Sequence, residues 1–528
     1  MFTRTHLFAL GASLLLGTAG ITQAADSDMR AELEALKAEV AELRGQQNET
    51  WLNERRAEEV KALVREVLAD ADSRASLLED CCTTAGHNGE NFWIGSEDGS
   101  FLLKIYGQIQ VRHNMTFRNG ERGGAATISD ANNVGLAGAS ANFDQAEAGF
   151  EVRRAKVGFA GHISSPRFQF DILLSVDHGN NEVYAERITI HYEISEGFWI
   201  GVGEDKDVFL REELIESGHQ LAVERSLVNE AFTNGIVQGV WMKWQATDNL
   251  YIQASIHDGP RSGEYLSSDD RLFYWNEPAT AISEVSPNGG IKSFDDDASD
   301  FAFTARVDWL VMGDWNQLED FTAWSGQDTN IAVGAAVSWH NAESGDDNGL
   351  AIGGTAPTFG FTPYLNHDMD ILSWTFDISA ECHGFNVFFA LVGRHIDDRA
   401  ENFGPGGTED MDMDQFGIVL QGGYQVIPDK LELFVRWEWM DLDIPSLSVA
   451  TPLDALEDEI NLMTFGVNWY INKHQTKFSF DVVWALDTLN GVALFLGPGS
   501  NLGDLGLMVD RDNADSQVAI RSQLQLLF

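Results

Sequence analysis

Cysteine is nearly absent: Cys81, Cys82 and Cys382 are the three in 528 residues. That excludes a fold stapled by a disulfide framework. No His/Cys spacing resembles a zinc site, so a structural role, or a crosslink between subunits through Cys81 or Cys82, is expected rather than catalysis. Bases are scarce too, 34 against 82 acids, and the formal charge of −48 argues against nucleic acid, whose binding rests on Lys and Arg neutralising phosphates. After the N-terminus no apolar run of 18 residues occurs, which excludes a bundle of membrane helices. The 50 glycines show no G-X-Y period, which excludes collagen. Catalytic signatures are missing: there is no P-loop, HExxH or GxSxG, and Gly201-Val202-Gly203 lacks the third glycine of a dinucleotide fingerprint. Asp410, Asp412 and Asp414 begin like a calcium loop, but Gln415 and Gln421 stand where that loop needs Gly and Glu. An enzyme, a cofactor and a metal site are therefore not expected. What is present is aromatic: 15 Trp, 9 Tyr and 32 Phe, too many for a disordered acidic chain. The length suggests about three domains at roughly 150 residues each, although barrels run longer as one unit.

The N-terminus has the pattern of an export leader. Arg4 and His6 precede the apolar stretch Leu7 to Gly20, and Thr22-Gln23-Ala24 offers small residues before a cut at Ala25. This predicts a secretory signal peptide over residues 1–24. Residues 26–80 are rich in Ala, Glu, Leu, Arg and Lys and hold one glycine, Gly45. Met29, Leu33, Leu36, Val40 and Leu43 alternate spacings of four and three, and Val60, Val64, Val67, Ala71, Ala75 and Leu78 repeat this with a slip. So narrow an apolar seam predicts an α-helical coiled coil, broken between Gly45 and Asn53. A single amphipathic helix packed on the body is the alternative.

From Phe92 the period changes to two. In the segment from Leu103 to Arg112 one face carries Leu, Ile, Gly, Ile and Val, and the other Lys, Tyr, Gln, Gln and Arg. Successive strand residues point to opposite faces, so one face is apolar and the other wet. The pattern recurs in sixteen segments: 101–113, 150–163, 168–177, 183–192, 198–206, 236–246, 250–258, 301–310, 330–340, 371–381, 385–395, 414–424, 431–440, 460–471, 475–486 and 517–528. Most have about ten residues, the length a tilted strand needs to cross a bilayer. Links after even-numbered segments are mostly short and links after odd-numbered ones mostly long, which is the layout of an outer-membrane barrel. Two links break the rule: the third segment joins the fourth closely, and the eighth joins the ninth through residues 311–329. Trp339, Trp437, Trp439 and Trp484 fall near one rim and Trp309, Trp469 and Tyr470 near the other, as two interfacial girdles would. The expected fold is an all-β transmembrane barrel over 92–528, antiparallel and up-and-down, with about 16 strands (14 or 18 remaining open), preceded by the coiled coil at 26–80. A soluble sandwich is the competing fold.

Several segments resemble the phosphate-selective porin O and P family. They are Lys104–Arg112, Phe150–Ile163 with Arg153, Arg154 and Lys156, and Lys206–Phe232, which reads Lys-Asp-Val-Phe-Leu-Arg-Glu-Glu-Leu and then Glu-Arg-Ser-Leu-Val-Asn-Glu-Ala-Phe. The resemblance is dense to about residue 260. It implies a trimeric, 16-stranded, water-filled anion channel whose loop 207–235 folds inward. A closing Phe528 on an alternating strand resembles the assembly signal of outer-membrane barrels.

Alternation places Lys104, Arg112, Arg154, Lys156, Arg187, Arg306, Arg394, Arg436, Lys477 and Arg521 toward the lumen, with Lys206, Arg211 and Arg225 at the constriction. Rings of charged side chains select ions in such pores. The plainer reading pairs these bases with Asp171, Asp377, Glu432, Glu438 and Asp481. The acids gather elsewhere, in outer loops such as Asp295–Asp297, Glu409–Asp414 and Asp510–Asp515. The function expected is a passive outer-membrane porin for small ions and solutes, with preference open among phosphate-like anions, general solutes and cations. Its partners are outer-membrane lipid, two further copies in a homotrimer and the solutes in transit. The alternatives are a barrel that mainly tethers the membrane to the cell wall through the coiled coil, and a secreted soluble sandwich.

Overall fold

The computed structural model describes residues 34–39, 83–89, 91–118, 146–177, 182–259, 301–342, 369–398, 412–443, 458–489, 505–507 and 516–528. The chain divides into two units, Met1–Cys82 and Thr83–Phe528. In the first, residues 34–39 are helical, with Lys37 donating to Glu34 at 3.0 Å. The leader, the rest of the coiled coil, Cys81, Cys82 and most of the acidic loops lie outside the described residues. No helix among the described residues is long and apolar enough to cross a membrane.

The second unit opens with a hairpin, β1 (Thr83–His87) and β2 (Phe92–Ser96), and continues with sixteen strands. These are β3 (Leu102–Arg118), β4 (Ala146–His162), β5 (Phe168–Asp177), β6 (Glu182–Ser195), β7 (Phe198–Lys206), β8 (Ile236–Thr247), β9 (Leu250–His257) and β10 (Phe301–Met312). They continue with β11 (Asn330–Ala342), β12 (Met369–Cys382), β13 (Phe385–Asp398), β14 (Met413–Ile427), β15 (Leu431–Asp441), β16 (Glu459–Asn472), β17 (Thr476–Ala485) and β18 (Gln517–Leu527). Each pairs antiparallel with the next, and β18 closes the ring on β3 from Gln517↔Arg118 to Leu527↔Gln108. Phe528 extends the seam: its carbonyl accepts from the Gly107 amide at 2.7 Å, and its amide donates to the Gly107 carbonyl at 3.1 Å. A Cβ at 107 would stand 2.5 Å from the Phe528 ring, so this close approach requires glycine. β2 pairs with the start of the same strand, Phe92↔Ile105 to Gly95↔Leu102.

The burial pattern is inverted relative to a soluble protein. On β15, Glu432, Arg436 and Glu438 are at most 1 % exposed, while Leu433 is 51 % exposed. On β14, Gln415, Gln421 and Gln425 are buried and Phe416, Leu420 and Tyr424 exposed. Strands whose apolar face looks outward and whose polar face is covered fit a lipid-facing barrel and exclude a sandwich. Trp309, Trp469 and Trp484 project outward. Tyr470, expected beside Trp469 in the inner girdle, does not: it is fully buried in the interior, where its hydroxyl donates to Glu432. Neighbours on a strand point to opposite faces, so Trp469 and Tyr470 cannot share a girdle.

Loop 207–235, between β7 and β8, is folded inside the barrel. It carries two short helices, α1 (Arg211–Leu214) and α2 (Leu227–Phe232). The Ser226 hydroxyl caps α2 by accepting from the Asn229 amide at 2.9 Å. Phe209, Leu221, Leu227 and Phe232 of this loop form one apolar cluster with inward side chains of the wall, including Phe388, Val392, Val419, Phe434, Leu462 and Val483. Burying such a side chain is worth roughly 1.5–3 kcal/mol, so the loop is packed as a core rather than hung in water.

Val435 lies mid-strand on the outward face, 41 % exposed. Replacing it with Arg should cost about 2–4 kcal/mol if it meets the bilayer midplane. The shift in urea midpoint for folding into lipid vesicles measures this, and an unchanged midpoint would place Val435 away from lipid.

Candidate pore constriction

The loop is held by wall side chains that reach its backbone or its carboxylates. The tightest cluster surrounds Glu224. Arg154 donates to both of its oxygens at 2.8 and 2.9 Å, Arg153 Nε at 2.8 Å, and Arg112 also pairs with it. Both Arg153 and Arg154 reach Glu224 because of a β-bulge: Gln110 faces Arg154 and Val111 faces Val152, so Arg153 is the extra residue. Strict alternation leaves Arg153 out of the lumen. The signal in the sequence is the Arg-Arg pair itself, since one of two consecutive arginines in a regular strand would have to face lipid.

Other wall charges anchor the loop further along. Arg436 donates to the Glu224 carbonyl at 2.9 Å and to Glu438 at 2.7 Å, and Glu438 accepts from the Leu227 amide. Asp481, paired with Arg521 at 2.7 Å, accepts from the Val223 amide at 3.0 Å. Arg306 donates to the Phe209 carbonyl at 3.0 Å and pairs with Asp308 and Asp377. Arg394 donates to the Ala231 carbonyl at 3.1 Å and lies over the Phe232 ring. Lys477 donates to the Gln220 carbonyl at 2.8 Å. Within the loop, Arg225 donates to the Ile215 carbonyl at 2.9 Å and pairs with Glu213. Arg211 reaches the Leu318 carbonyl.

This separates the expected lumen bases into two groups. Arg112, Arg154, Arg306, Arg394, Arg436, Lys477 and Arg521 do face inward, but they are buried under the loop or beside it, so they do not line water. Alternation fixes which way a side chain points, not what covers it. Asp171, Asp377, Glu438 and Asp481 do pair with bases, while Glu432 is bonded instead by Tyr470 and Asn386. The second group keeps partial exposure on the wall β4 to β8. Arg187 pairs with Asp171 at 2.8 Å and Glu216 at 2.9 Å, Lys206 with Glu216 at 3.3 Å, and Lys156 with Glu186. Lys243, which the residue pattern did not single out, pairs with Asp205 at 3.4 Å. The side chain of Glu216 is 47 % exposed, the most open acid of this group. Lys104 is exposed at the start of β3. No group of three metal-binding side chains occurs among the described residues.

A closed 16-strand barrel with an outward apolar belt and an inward-folded loop defines the class: an outer-membrane porin, a channel for passive diffusion. Residues 129–272, the stretch holding β4 to β9 and the inward loop, match the family model described as phosphate-selective porin O and P. No curated protein matches the chain. Among solved structures it is similar to OmpT, an outer membrane protein of Vibrio cholerae, at 10% identity over 81% of this chain and 98% of that one, with a TM-score of 0.45. An anion-selective porin from Comamonas acidovorans is similar at 9% identity over 81% and 100%, TM-score 0.45. The outer membrane channel DcaP of Acinetobacter baumannii is similar at 10% identity over 82% and 99%, TM-score 0.44.

Glu224→Gln should unseat the loop, because breaking a buried ion pair from one side costs about 3–5 kcal/mol; faster protease cleavage within 207–235 of the folded barrel is the readout. Burial pushes the Glu224 carboxyl up, but Arg153, Arg154 and Arg112 outweigh it and hold it well below the ordinary carboxylate range. A carboxylate depressed in the folded state contributes fully above its unfolded pKa of about 4.3 and is lost only as pH falls toward the folded value. Cleavage of the parent loop should therefore stay slow from about pH 8 to about pH 5.

Proposed function

We propose that solutes pass between the inward loop and the wall β4 to β8, and that this passage favours small anions over cations of the same size. The observation that carries the reading is the partly exposed run of bases, Arg153, Lys156, Arg187, Lys206 and Lys243, on one wall. Arg154, at Glu224, and Arg225, at Glu213, stand behind this run, whereas Arg211 reaches the Leu318 carbonyl. Each base of the run is paired with a carboxylate, so the preference is modest and local. Water screens charges beyond about 8 Å at physiological salt, and the acidic loops outside therefore set the entry field without cancelling the field at the constriction. The phosphate preference named by the family is one case of this reading. A homotrimer, an export leader at 1–24, a periplasmic coiled coil at 26–80 that touches the cell wall, and Phe528 as an assembly signal complete the proposal. The Phe528 backbone pairing with Gly107 supports the last of these.

Reversal potentials in a salt gradient, with chloride and then phosphate as anion, test the preference. Lys243→Gln should lower the anion-to-cation permeability ratio and Glu216→Gln should raise it, each by about twofold to tenfold. A parent channel that is cation-selective, with both variants unchanged, overturns the anion reading.

A further inference from the structure

The link between β10 and β11, Gly313 to Thr329, is too long for an inner-rim turn, and it is not slack. Leu318 of a 3-10 turn, Trp315–Glu319, is buried, and so are Phe321, Thr322, Ala323 and Trp324 after it. Phe321 joins the same apolar cluster as Phe209, Leu210 and Phe232 of the inward loop, and its ring lies 4.8 Å from that of Phe388 on the wall. The link touches the loop near its start, where Arg211 donates to the Leu318 carbonyl. It reaches the loop again through His474, in the turn between β16 and β17. Asp320 accepts from Trp324 Nε1 at 3.0 Å and lies 3.1 Å from His474 Nε2, and the His474 ring is 4.9 Å from that of His219 in the loop. The far end is tied to the barrel as well: the Ser325 amide donates to Asp429 at 2.8 Å.

We infer that this periplasmic strap braces the constriction from behind: it fixes where loop 207–235 stands from the side opposite to the loop's own entry, and Phe321 and Asp320 are positioning residues for permeation. The inference rests on the reading that this loop bounds the passage. The strap itself does not line it. Its anchors lie at Phe388, Tyr470, His474 and Asp429, all on strands or turns from β13 to β17, away from the partly exposed wall β4 to β8. α1 has no side-chain cap at its N-terminus, and Arg211, its first residue, is the one that reaches the strap. Removing strap volume should let α1 and the loop settle toward the strap and widen the gap on the opposite wall.

The test is single-channel conductance of the purified full chain in planar bilayers. Phe321→Ala should raise conductance by about twofold or add sub-state flicker, and Phe321→Leu should restore the parent value. Asp320→Asn, a milder change, should give flicker without a new mean. The mobility of the unheated barrel on gels should match the parent in all three, which a merely structural loss would not allow. Arg211→Ala combined with Phe321→Ala should be non-additive, since both act through one loop. A conducting parent whose folded strap variants all keep its conductance and noise overturns the strap inference and leaves the channel reading standing. A folded parent that inserts and never conducts overturns both.

Discussion

Hydrocarbon offers no hydrogen-bond partner, so every backbone amide and carbonyl of a spanning segment must be satisfied within the protein. The ring closed by β18 on β3 meets that condition, and much else follows from it. A strand in a closed ring has one face to lipid and one to the interior, which forces the alternation of Leu433, Val435 and Trp437 with Glu432, Arg436 and Glu438. The same condition keeps the inner-rim turns tight: Ser164, His383 and Lys473 take positive φ there so that strands can reverse within a few residues.

The interior solves a second problem. Guanidinium and carboxylate groups taken out of water carry a desolvation cost that is met when each is paired and hydrogen-bonded. Arg306, Arg436 and Arg521 each have a carboxylate on the wall and a carbonyl donated to, in the loop or beside it. Around these pairs the loop supplies an apolar filling, with Phe209, Leu221 and Phe232 against Phe388 and Val419. The barrel thus has a packed half and a half whose wall charges keep partial exposure. The overall charge of −48 says little about either, because most of the inward bases are paired with a carboxylate.

The sixteen strands were legible from the sequence because period-two alternation over about ten residues has few other physical causes. Strand ends agree within a few residues, the largest differences falling where β3 runs on to Arg118 and β4 begins at Ala146. The hairpin β1 and β2 was not legible, being too short to show a period. Phe388, Val392 and Phe434 point inward as the seat of the loop, and nothing local in the sequence announces that. Arg153 was hidden by a bulge, which breaks the parity that alternation relies on. Whether an inward base is wet or covered depends on where residues far away in the chain come to rest, so Lys156 and Arg436 look alike in sequence and differ in place. The inward position of loop 207–235 came only from the family resemblance.

Most wall anchors hold the loop by its main chain: the carbonyls of Phe209, Gly218, Gln220, Leu221, Glu224 and Ala231 accept from Arg306, Gln525, Lys477, Asn468, Arg436 and Arg394. A carbonyl is the same whatever side chain its residue bears. Mutational drift can therefore rewrite the loop's water-facing side chains, and with them the solutes the channel admits, without surrendering the loop's position. The barrel's main-chain grip is indifferent to the loop's water-facing side chains, and the lining it carries is free to diverge, while Glu224 and the packed Phe209 and Phe232 are not.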